Sequence, residues 1–162
     1  ATFRNEAQDR IPLDLNDVIR DSLALGQTEL ERHGIVVRNG TYQQRLAVLG
    51  NRVQLQQVLL NLILNAVDAM SGRDGPRVLS LQCEAAPGNA MVVTVADTGP
   101  GISAQDAERI FNPLYTTKRD GMGMGLSICR AIIEAHHGRL WFAPNTPSGA
   151  VFRFSLRSSV AP

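Results

Sequence analysis

The stretch DTGPGISAQDAERIFNPLYTTKRDGMGMGLSICRAIIEAHHG, residues 97–138, decides how this chain is interpreted. It begins with an aspartate beside glycines and ends with Gly121, Gly123 and Gly125 at the start of an apolar segment. Glycine lets the backbone adopt positive φ angles or approach a bound molecule closely. The glycine-rich corners on either side of FNPLYTTK therefore indicate two turns at which a ligand could meet the backbone.

The acid that opens the stretch has two interpretations. Asp97 ends the apolar run VVTVA and precedes glycines, a pattern that is typical of a turn, because aspartate hydrogen-bonds to backbone two residues on. Alternatively, its carboxylate points into a cleft and accepts a hydrogen bond from an exocyclic amine such as that of adenine. Gly99 and Gly101 would then let the backbone approach the ring.

The second corner, GMGMGL, opens a predicted helix from Met124 to His137. The first turn of a helix presents free backbone N–H groups and the positive end of the helix dipole, which suits a phosphate. Lys118 comes shortly before the glycines and could pair with a terminal phosphate. The alternatives are a tight loop or hinge for the glycines and a solvated side chain for Lys118.

Two asparagines share one face of the strongest predicted helix, NRVQLQQVLLNLILNAVDAM, residues 51–70. Asn61 and Asn65 stand four positions apart, so they are neighbours on the helix surface. The rest of that face is apolar, and a buried amide is costly without partners. Either both amides bond to nearby backbone, or they face a ligand, where an amide oxygen suits a hard cation such as Mg²⁺.

The composition is that of an ordinary globular domain of 162 residues, with 44% hydrophobic and 19% charged residues. A net charge of +1 gives no electrostatic basis for binding nucleic acid. No apolar run reaches the roughly 18–20 residues that a membrane span needs. Cys83 and Cys129 lack metal-ligand spacing and are expected to be reduced, mostly buried thiols, which indicates a cytoplasmic setting.

The pattern of apolar residues predicts the fold class. Helices are expected from Asp14 to about Gly34 and over 51–70, 104–111 and 124–137, and strands over 35–38, 45–50, 77–86, 90–97, 138–144 and 149–156. The strands form antiparallel-looking pairs and do not alternate strictly with helices. This favours an α+β two-layer sandwich, with a mixed, mostly antiparallel sheet against about three helices. Gly138 is expected to end the last helix in the left-handed conformation.

The order of the motifs resembles the catalytic and ATP-binding domain of sensor histidine kinases, within the superfamily shared with gyrase and mismatch-repair ATPases. NLILNAVDAM is similar to that family's N box, DTGPGI to its first glycine box, IFNPLYTTK to its F box and GMGMGL to its second glycine box. The resemblance covers about residues 12–157 and implies the Bergerat-type sandwich. The two glycine corners would bracket ATP, with residues 103–123 as a mobile lid.

The resemblance implies a role for each matched position. Asn65 would be the Mg²⁺ ligand, Asn61 would lie beside the phosphates, and Asp97 would accept from the adenine amine. The remaining ATP-binding positions would be Gly99 and Gly101 near the base with Ile102 packed on it, Thr117 and Lys118 on the lid, and Gly121, Gly123, Gly125 and Leu126 at the phosphates. Asn61, Asn65 and Lys118 would carry catalysis.

Two positions depart from the family pattern. Asp68 stands where many histidine kinases carry a basic residue that contacts phosphate. His137 stands where the usual His-Gly-Gly has its first glycine.

The position of Asn61 favours phosphoryl transfer over hydrolysis. Gyrase-like relatives carry a glutamate there that activates water, whereas an amide cannot take a proton at neutral pH. Transfer depends mainly on positioning and charge neutralisation, which fits a site of glycines, Asn, Lys and Mg²⁺.

The phosphate acceptor is expected outside this chain. Kinase acceptor histidines usually precede an acidic residue on a long helix, and His33, His136 and His137 do not. Residues 1–12 are therefore predicted to be a linker from an absent, histidine-bearing dimerisation domain. Residues 13–157 would be the catalytic domain and 158–162 a tail.

The implied function is Mg–ATP-dependent phosphorylation of that histidine, with onward transfer to the receiver domain of a response regulator. The fragment is expected to be a cytoplasmic monomer without nucleic-acid or membrane contacts. The alternatives are a Ser/Thr protein kinase of the same superfamily and a nucleotide-binding interaction module without catalysis.

Overall fold

The computed structural model describes residues 10–40, 47–113 and 125–159. The strands in these ranges are β1 Ile11–Asp14, β2 Val36–Gly40, β3 Ala47–Gly50, β4 Val78–Ala86, β5 Ala90–Ala96, β6 Arg139–Pro144 and β7 Ala150–Arg157. The helices are α1 Leu15–Leu25, α2 Gln27–Arg32, α3 Arg52–Ser71, α4 Ala104–Ala107 and α5 Leu126–Ala135.

Five of these strands form one mixed sheet in the order β2-β4-β5-β7-β6. Strand β2 pairs with β4 in parallel, and the other three pairings are antiparallel. Strands β1 and β3 form a separate antiparallel pair in which Ile11 lies opposite Gly50. The predicted α+β class with a mixed, mostly antiparallel sheet is confirmed.

Alternating side chains place one face of the sheet in the core. In β4 the buried residues are Leu79, Leu81 and Cys83, and in β5 they are Met91, Val93 and Val95. Because successive side chains of a strand point to opposite faces of the sheet, this alternation buries one face of each strand in the core. The core also contains Leu55, Leu59, Leu62 and Ile63 of α3, together with apolar residues of α1 and α5. The three longer helices thus form the second layer of the sandwich.

The helix that carries the two asparagines begins at a side-chain cap. The Asn51 carboxamide oxygen accepts from the backbone N–H of Gln54 at 3.0 Å, which satisfies one donor of the first turn. The predicted cap is therefore present. At the other end of α3 the Arg77 guanidinium donates to the carbonyl oxygens of Ser71, Arg73 and His33, which ties that end to the end of α2.

Three predicted helices are shorter than expected. The first is divided at Gly26, a poor helix former, and continues as α2. The segment predicted over 104–111 is helical only over Ala104–Ala107, after which the bonds from the Arg109 N–H to Asp106 and from the Asn112 N–H to Arg109 span three residues, as in turns. The last helix begins at Leu126 because Gly125, with φ +27°, does not have the helical conformation.

Two further differences concern the ends of the chain and of α5. Ile11 and Pro12, expected in a linker, pair with β3. The left-handed residue after α5 is His137, with φ +63°, instead of Gly138. Gly138 is needed for another reason, since a Cβ there would overlap the carbonyl oxygen of Ser155.

Candidate nucleotide site

A cavity of about 280 Å³ lies between α3, the loop after β5 and the sheet. Its walls include Asn65, Asp97, Gly101, Ile102, Gly125 and Leu126. These six predicted site residues, from three separate sequence motifs, therefore meet at one cavity. Three apolar residues also line the cavity: Leu62, Ile110 and Phe152 of β7.

The carboxylate of Asp97 is held in one orientation. Its Oδ1 accepts from the backbone N–H of Gly99 at 2.9 Å and from that of Ala150 at 3.2 Å. Within the described ranges Oδ2 accepts no hydrogen bond, which leaves it available to a ligand. Burial raises the pKa of Asp97 above its ordinary 3.8, while the two backbone N–H groups and the charge of Arg73 oppose that shift.

The bond from Gly99 to Asp97 is the turn expected of an aspartate before glycines. Because it occupies only Oδ1, the two interpretations of this motif are compatible. The carboxylate both closes the turn and faces the cavity.

The two glycines of the DTGPGI loop are required by close packing. A Cβ on Gly99 would lie 3.1 Å from the carbonyl oxygen of Ala69 near the end of α3. Gly101 has φ +82°, and its Cβ would lie 2.9 Å from the carbonyl oxygen of Gly149. Gly101 lines the cavity, whereas Gly99 is buried against α3.

The turn between β6 and β7 also holds Asp97, although its residues are not among the predicted site residues. The Asn145 amide nitrogen donates to the Asp97 carbonyl oxygen at 2.7 Å. Gly149, with φ +117°, leaves no room for a side chain against the same carbonyl. Asn145 falls between the predicted strands 138–144 and 149–156, and Gly149 begins the second of them; nothing local in NTPSG indicates a contact with a residue 48 positions earlier.

The two asparagines of α3 have different surroundings. Asn65 lines the cavity, but Asn61 is not among its lining residues. The Asn61 amide nitrogen instead lies 3.6 Å from Sγ of Cys129 on α5. Burial raises the pKa of the Cys129 thiol, which therefore stays protonated. The place of Asn61 beside the phosphates stays a prediction.

Helix α5 begins at the wall of the cavity, where Gly125 and Leu126 both line it. Among the residues that the structure describes, no side chain caps the start of this helix. A phosphate placed there would meet free donors and the positive end of the dipole of this 10-residue helix. Thr117, Lys118, Gly121 and Gly123 lie outside the described residues.

The start of the F box, which lies within the predicted lid, packs against β7 and α5. The Phe111 ring packs edge-on against Phe152, with centroids 6.4 Å apart, and the Arg130 guanidinium lies 4.5 Å from the Phe111 centroid. Arg130 belongs to α5, so the described part of the predicted lid is in contact with the helix that follows the lid.

The donor set at the cavity suits Mg²⁺. Asn65 offers an amide oxygen and Asp68, one turn further along α3, offers a carboxylate; both line the cavity. Mg²⁺ prefers hard oxygen ligands and usually takes one or two from the protein, with phosphates and waters completing the shell. No cluster of three or more His, Cys, Asp or Glu that could hold a metal by itself occurs in the described ranges.

Cys83 and Cys129 are free, buried thiols, as predicted. Burial raises the pKa of Cys83 to about 12. None of the helices in the described parts of the chain has the length and apolar content that crossing a bilayer requires.

Comparison with known proteins agrees with this description. The profile of the family described as "Histidine kinase-, DNA gyrase B-, and HSP90-like ATPase" matches residues 50–160. Sensor protein TdiS of Thauera aromatica is 37% identical over 150 residues, which cover 91% of this chain and 27% of TdiS. Sensor protein FixL of Bradyrhizobium diazoefficiens is 39% identical over 153 residues, which cover 94% of this chain and 30% of FixL.

Solved structures of histidine kinases have a similar fold. The nucleotide-free catalytic domain of histidine kinase ThkA superposes with a TM-score of 0.79 and 33% identity, covering 92% of this chain and 95% of that domain. ThkA in complex with response regulator protein TrrA gives a TM-score of 0.78 and 30% identity, covering 93% of this chain and 42% of that one.

The fold and its neighbours define the class of the molecule, a domain built like the catalytic domain of a histidine kinase. The chain belongs to the histidine kinase-, DNA gyrase B- and HSP90-like ATPase family. The resemblance inferred from the four boxes is thereby confirmed. The chain spans less than a third of the length of TdiS and FixL.

Proposed function

We propose that this domain binds Mg–ATP and transfers the γ-phosphoryl group to a histidine on a separate dimerisation domain. The observation that carries the proposal is the fixed carboxylate of Asp97 at one end of the cavity, with Asn65 and the uncapped start of α5 also on its walls. Asp97 can accept a hydrogen bond from an amine of the base, and the start of α5 can bind phosphate. One cavity therefore offers partners for both ends of a nucleotide.

At the base end, Asp97 accepts a hydrogen bond from the exocyclic amine of adenine through Oδ2. Gly101 gives the ring access to the backbone, and Ile102 packs against the ring. Since the acceptor must be ionised, the backbone N–H groups of Gly99 and Ala150 also favour the binding-competent form.

At the phosphate end, Asn65 holds Mg²⁺ and the first N–H groups of α5 hold phosphate oxygens. Mg²⁺ supplies charge neutralisation on the transferring phosphoryl group. Gly125 and Leu126 line the cavity at this start of α5. Thr117, Lys118, Gly121 and Gly123 are assigned to the same end from the family pattern alone.

The reaction is transfer and not hydrolysis, because the chain places no general base where the hydrolases of the superfamily have one. The Asn61 amide cannot accept a proton at neutral pH, and its nitrogen is engaged by Cys129. Asn61 keeps the place beside the phosphates that the family pattern implies, while its contact with Cys129 joins α3 to α5.

The three histidines of the chain are unsuited to receive the phosphoryl group. His136 is 5% exposed and both of its ring nitrogens are hydrogen-bonded. Neither His33 nor His137 is followed by an acidic residue, as kinase acceptor histidines usually are. We therefore assign the acceptor role to a histidine outside these three.

By analogy with ThkA, whose structure with a response regulator is known, the next acceptor is a receiver domain. We place the domain in the cytoplasm, where ATP and the receiver are found, and expect this fragment alone to be a monomer.

The test is calorimetric titration of ATP and ADP, with and without Mg²⁺, into the wild-type chain and Asp97→Asn. Asparagine keeps an oxygen for the N–H groups of Gly99 and Ala150 but turns an NH₂ group towards the adenine amine. We expect the variant to remain folded and to lose ATP affinity by about tenfold to a hundredfold, the equivalent of one charged hydrogen bond. Equal affinities would reject the adenine assignment.

Phosphoryl transfer is tested separately with labelled ATP and a supplied histidine-bearing dimerisation domain. Acid-labile phosphohistidine supports the proposal, whereas an acid-stable phosphoserine product indicates the Ser/Thr kinase alternative. ATP binding without any transfer, under conditions where a full-length relative is active, indicates an interaction module.

A further inference from the structure

The hydrogen bonds between β5 and β7 change partners at Asp97. Ala96 pairs with Val151, and the ladder continues with the Asp97 N–H donating to the Ala150 carbonyl oxygen at 2.9 Å. In a regular antiparallel pair of this kind, the two residues exchange both of their N–H···O bonds. The return bond is missing here, because the Ala150 N–H donates to the Asp97 carboxylate at 3.2 Å.

The carbonyl oxygen left over by this change is taken by a side chain. The Asn145 amide nitrogen donates to the Asp97 carbonyl oxygen at 2.7 Å, in the place of the Ala150 N–H. A backbone carbonyl at a buried residue is costly to leave without a partner. The side chain of Asn145 therefore makes it possible for the Ala150 N–H to serve the carboxylate.

Asn145 is itself fixed in the orientation that this role needs. Its carboxamide oxygen accepts from the Thr146 N–H at 2.9 Å, and its own backbone N–H donates to the Gly149 carbonyl oxygen at 3.0 Å. With the oxygen committed to an N–H, the NH₂ group can only face the Asp97 carbonyl. Gly149, which has no room for a Cβ beside that carbonyl, lets the turn approach this closely.

We infer that Asn145 is a positioning residue for base recognition. By occupying the Asp97 carbonyl, it releases the Ala150 N–H to orient the carboxylate that selects adenine. The inference rests on the proposed function of Asp97. Without the Asn145 donor, the Ala150 N–H returns to the carbonyl, the carboxylate keeps only its bond to Gly99, and discrimination for the adenine amine falls.

The test compares affinities for ATP and for purine riboside triphosphate, which lacks the 6-amino group, by titration into the 162-residue chain. The main variant is Asn145→Asp, which keeps the oxygen for Thr146 and loses the donor. Asn145→Ala serves if the aspartate variant fails to fold. Thr146→Ala is the matched control, since Thr146 is exposed in the same turn.

We expect wild type and Thr146→Ala to bind ATP about tenfold or more tightly than the amine-free nucleotide, because one charge-assisted hydrogen bond contributes a difference of this size. Asn145→Asp should bring the ratio close to one while leaving affinity for the amine-free nucleotide unchanged. Added to Asp97→Asn, it should have no further effect.

The outcomes separate the two proposals. If Asp97→Asn keeps the wild-type preference, the adenine assignment of the proposed function fails and this inference falls with it. If Asp97→Asn loses the preference but the Asn145 variants keep it, or weaken both nucleotides equally, only the positioning role is overturned.

Discussion

The backbone N–H of Asn51 donates to Nε2 of His136 at 3.1 Å, across 85 positions of sequence. Nδ1 of the same ring lies 2.8 Å from the Ile132 carbonyl oxygen and is therefore the protonated nitrogen. The neutral ring thus connects the end of α5 to the start of α3, and both helices border the nucleotide cavity.

We predict that this connection makes stability depend on pH. Burial lowers the pKa of His136 below its ordinary 6.5, and the nearby charges of Arg10 and His137 lower it further. Below about pH 6.5 the unfolded chain takes up a proton that the folded ring refuses, so stability is lost as the pH falls. Urea unfolding of wild type and His136→Gln at about pH 7.5 and pH 5.5 measures this loss.

The wild type should lose more stability over this interval than His136→Gln, which has nothing to titrate at that position. Asp97, whose pKa is raised by burial, acts in the opposite direction, but it is common to both proteins. Equal losses in the two proteins would show that the ring does not titrate on unfolding.

Thr98 should stabilise the fold through its hydroxyl group. The hydroxyl donates to the Pro76 carbonyl oxygen at 2.8 Å and accepts from the Val78 N–H at 3.0 Å, joining the DTGPGI loop to the start of β4. Thr98→Val leaves both backbone groups without this partner. We expect a loss of about 1–3 kcal/mol in the free energy of unfolding.

Thr98→Ser is the matched control, because it keeps the hydroxyl group and should stay within about 1 kcal/mol of wild type. A valine variant as stable as the serine variant would contradict the prediction.

The parts of the site that follow each other in sequence could be predicted, and those made by distant pairing could not. Asp97 and Gly101 lie in one short loop, so the turn at the aspartate and the need for glycine could be predicted from the local sequence. Asn145 reaches Asp97 only through the register of β5 on β7, which no local pattern encodes.

Helix periodicity was sufficient to place Asn61 and Asn65 on one side of α3 but could not say which neighbour each meets. Asn65 lines the cavity, while the Asn61 amide contacts Cys129 of α5. The ending of α5 differs for a similar reason. The Gly138 N–H donates to the Ile133 carbonyl oxygen at 2.9 Å, which makes His137 the left-handed residue. The approach of Ser155 separately excludes a side chain at Gly138.

Arg130 and Phe111 should be energetically coupled. The guanidinium lies 4.5 Å from the ring centroid, with the arginine side exposed to solvent. A double-mutant cycle with Arg130→Gln and Phe111→Leu should give a coupling of about 0.5–1 kcal/mol in the free energy of unfolding, as for exposed cation–π pairs. Additive single effects would mean that the contact contributes nothing measurable.

The last prediction separates the metal end of the cavity from the base end. If Asn65 is the Mg²⁺ ligand, Asn65→Ala should weaken ATP binding by about tenfold in Mg²⁺, or about 1.4 kcal/mol, and by much less in a chelator. Asn65→Asp keeps an oxygen at the same place and should preserve the gain in affinity that Mg²⁺ brings. Titrations of ATP into the three proteins in both buffers measure the gain in affinity that Mg²⁺ brings.

As a control, Asp97→Asn should weaken binding equally in the two buffers, because adenine recognition does not involve the metal. An alanine variant that still gains affinity from Mg²⁺ as the wild type does would move the ligand elsewhere, with Asp68, on the same wall of the cavity, the next residue to substitute.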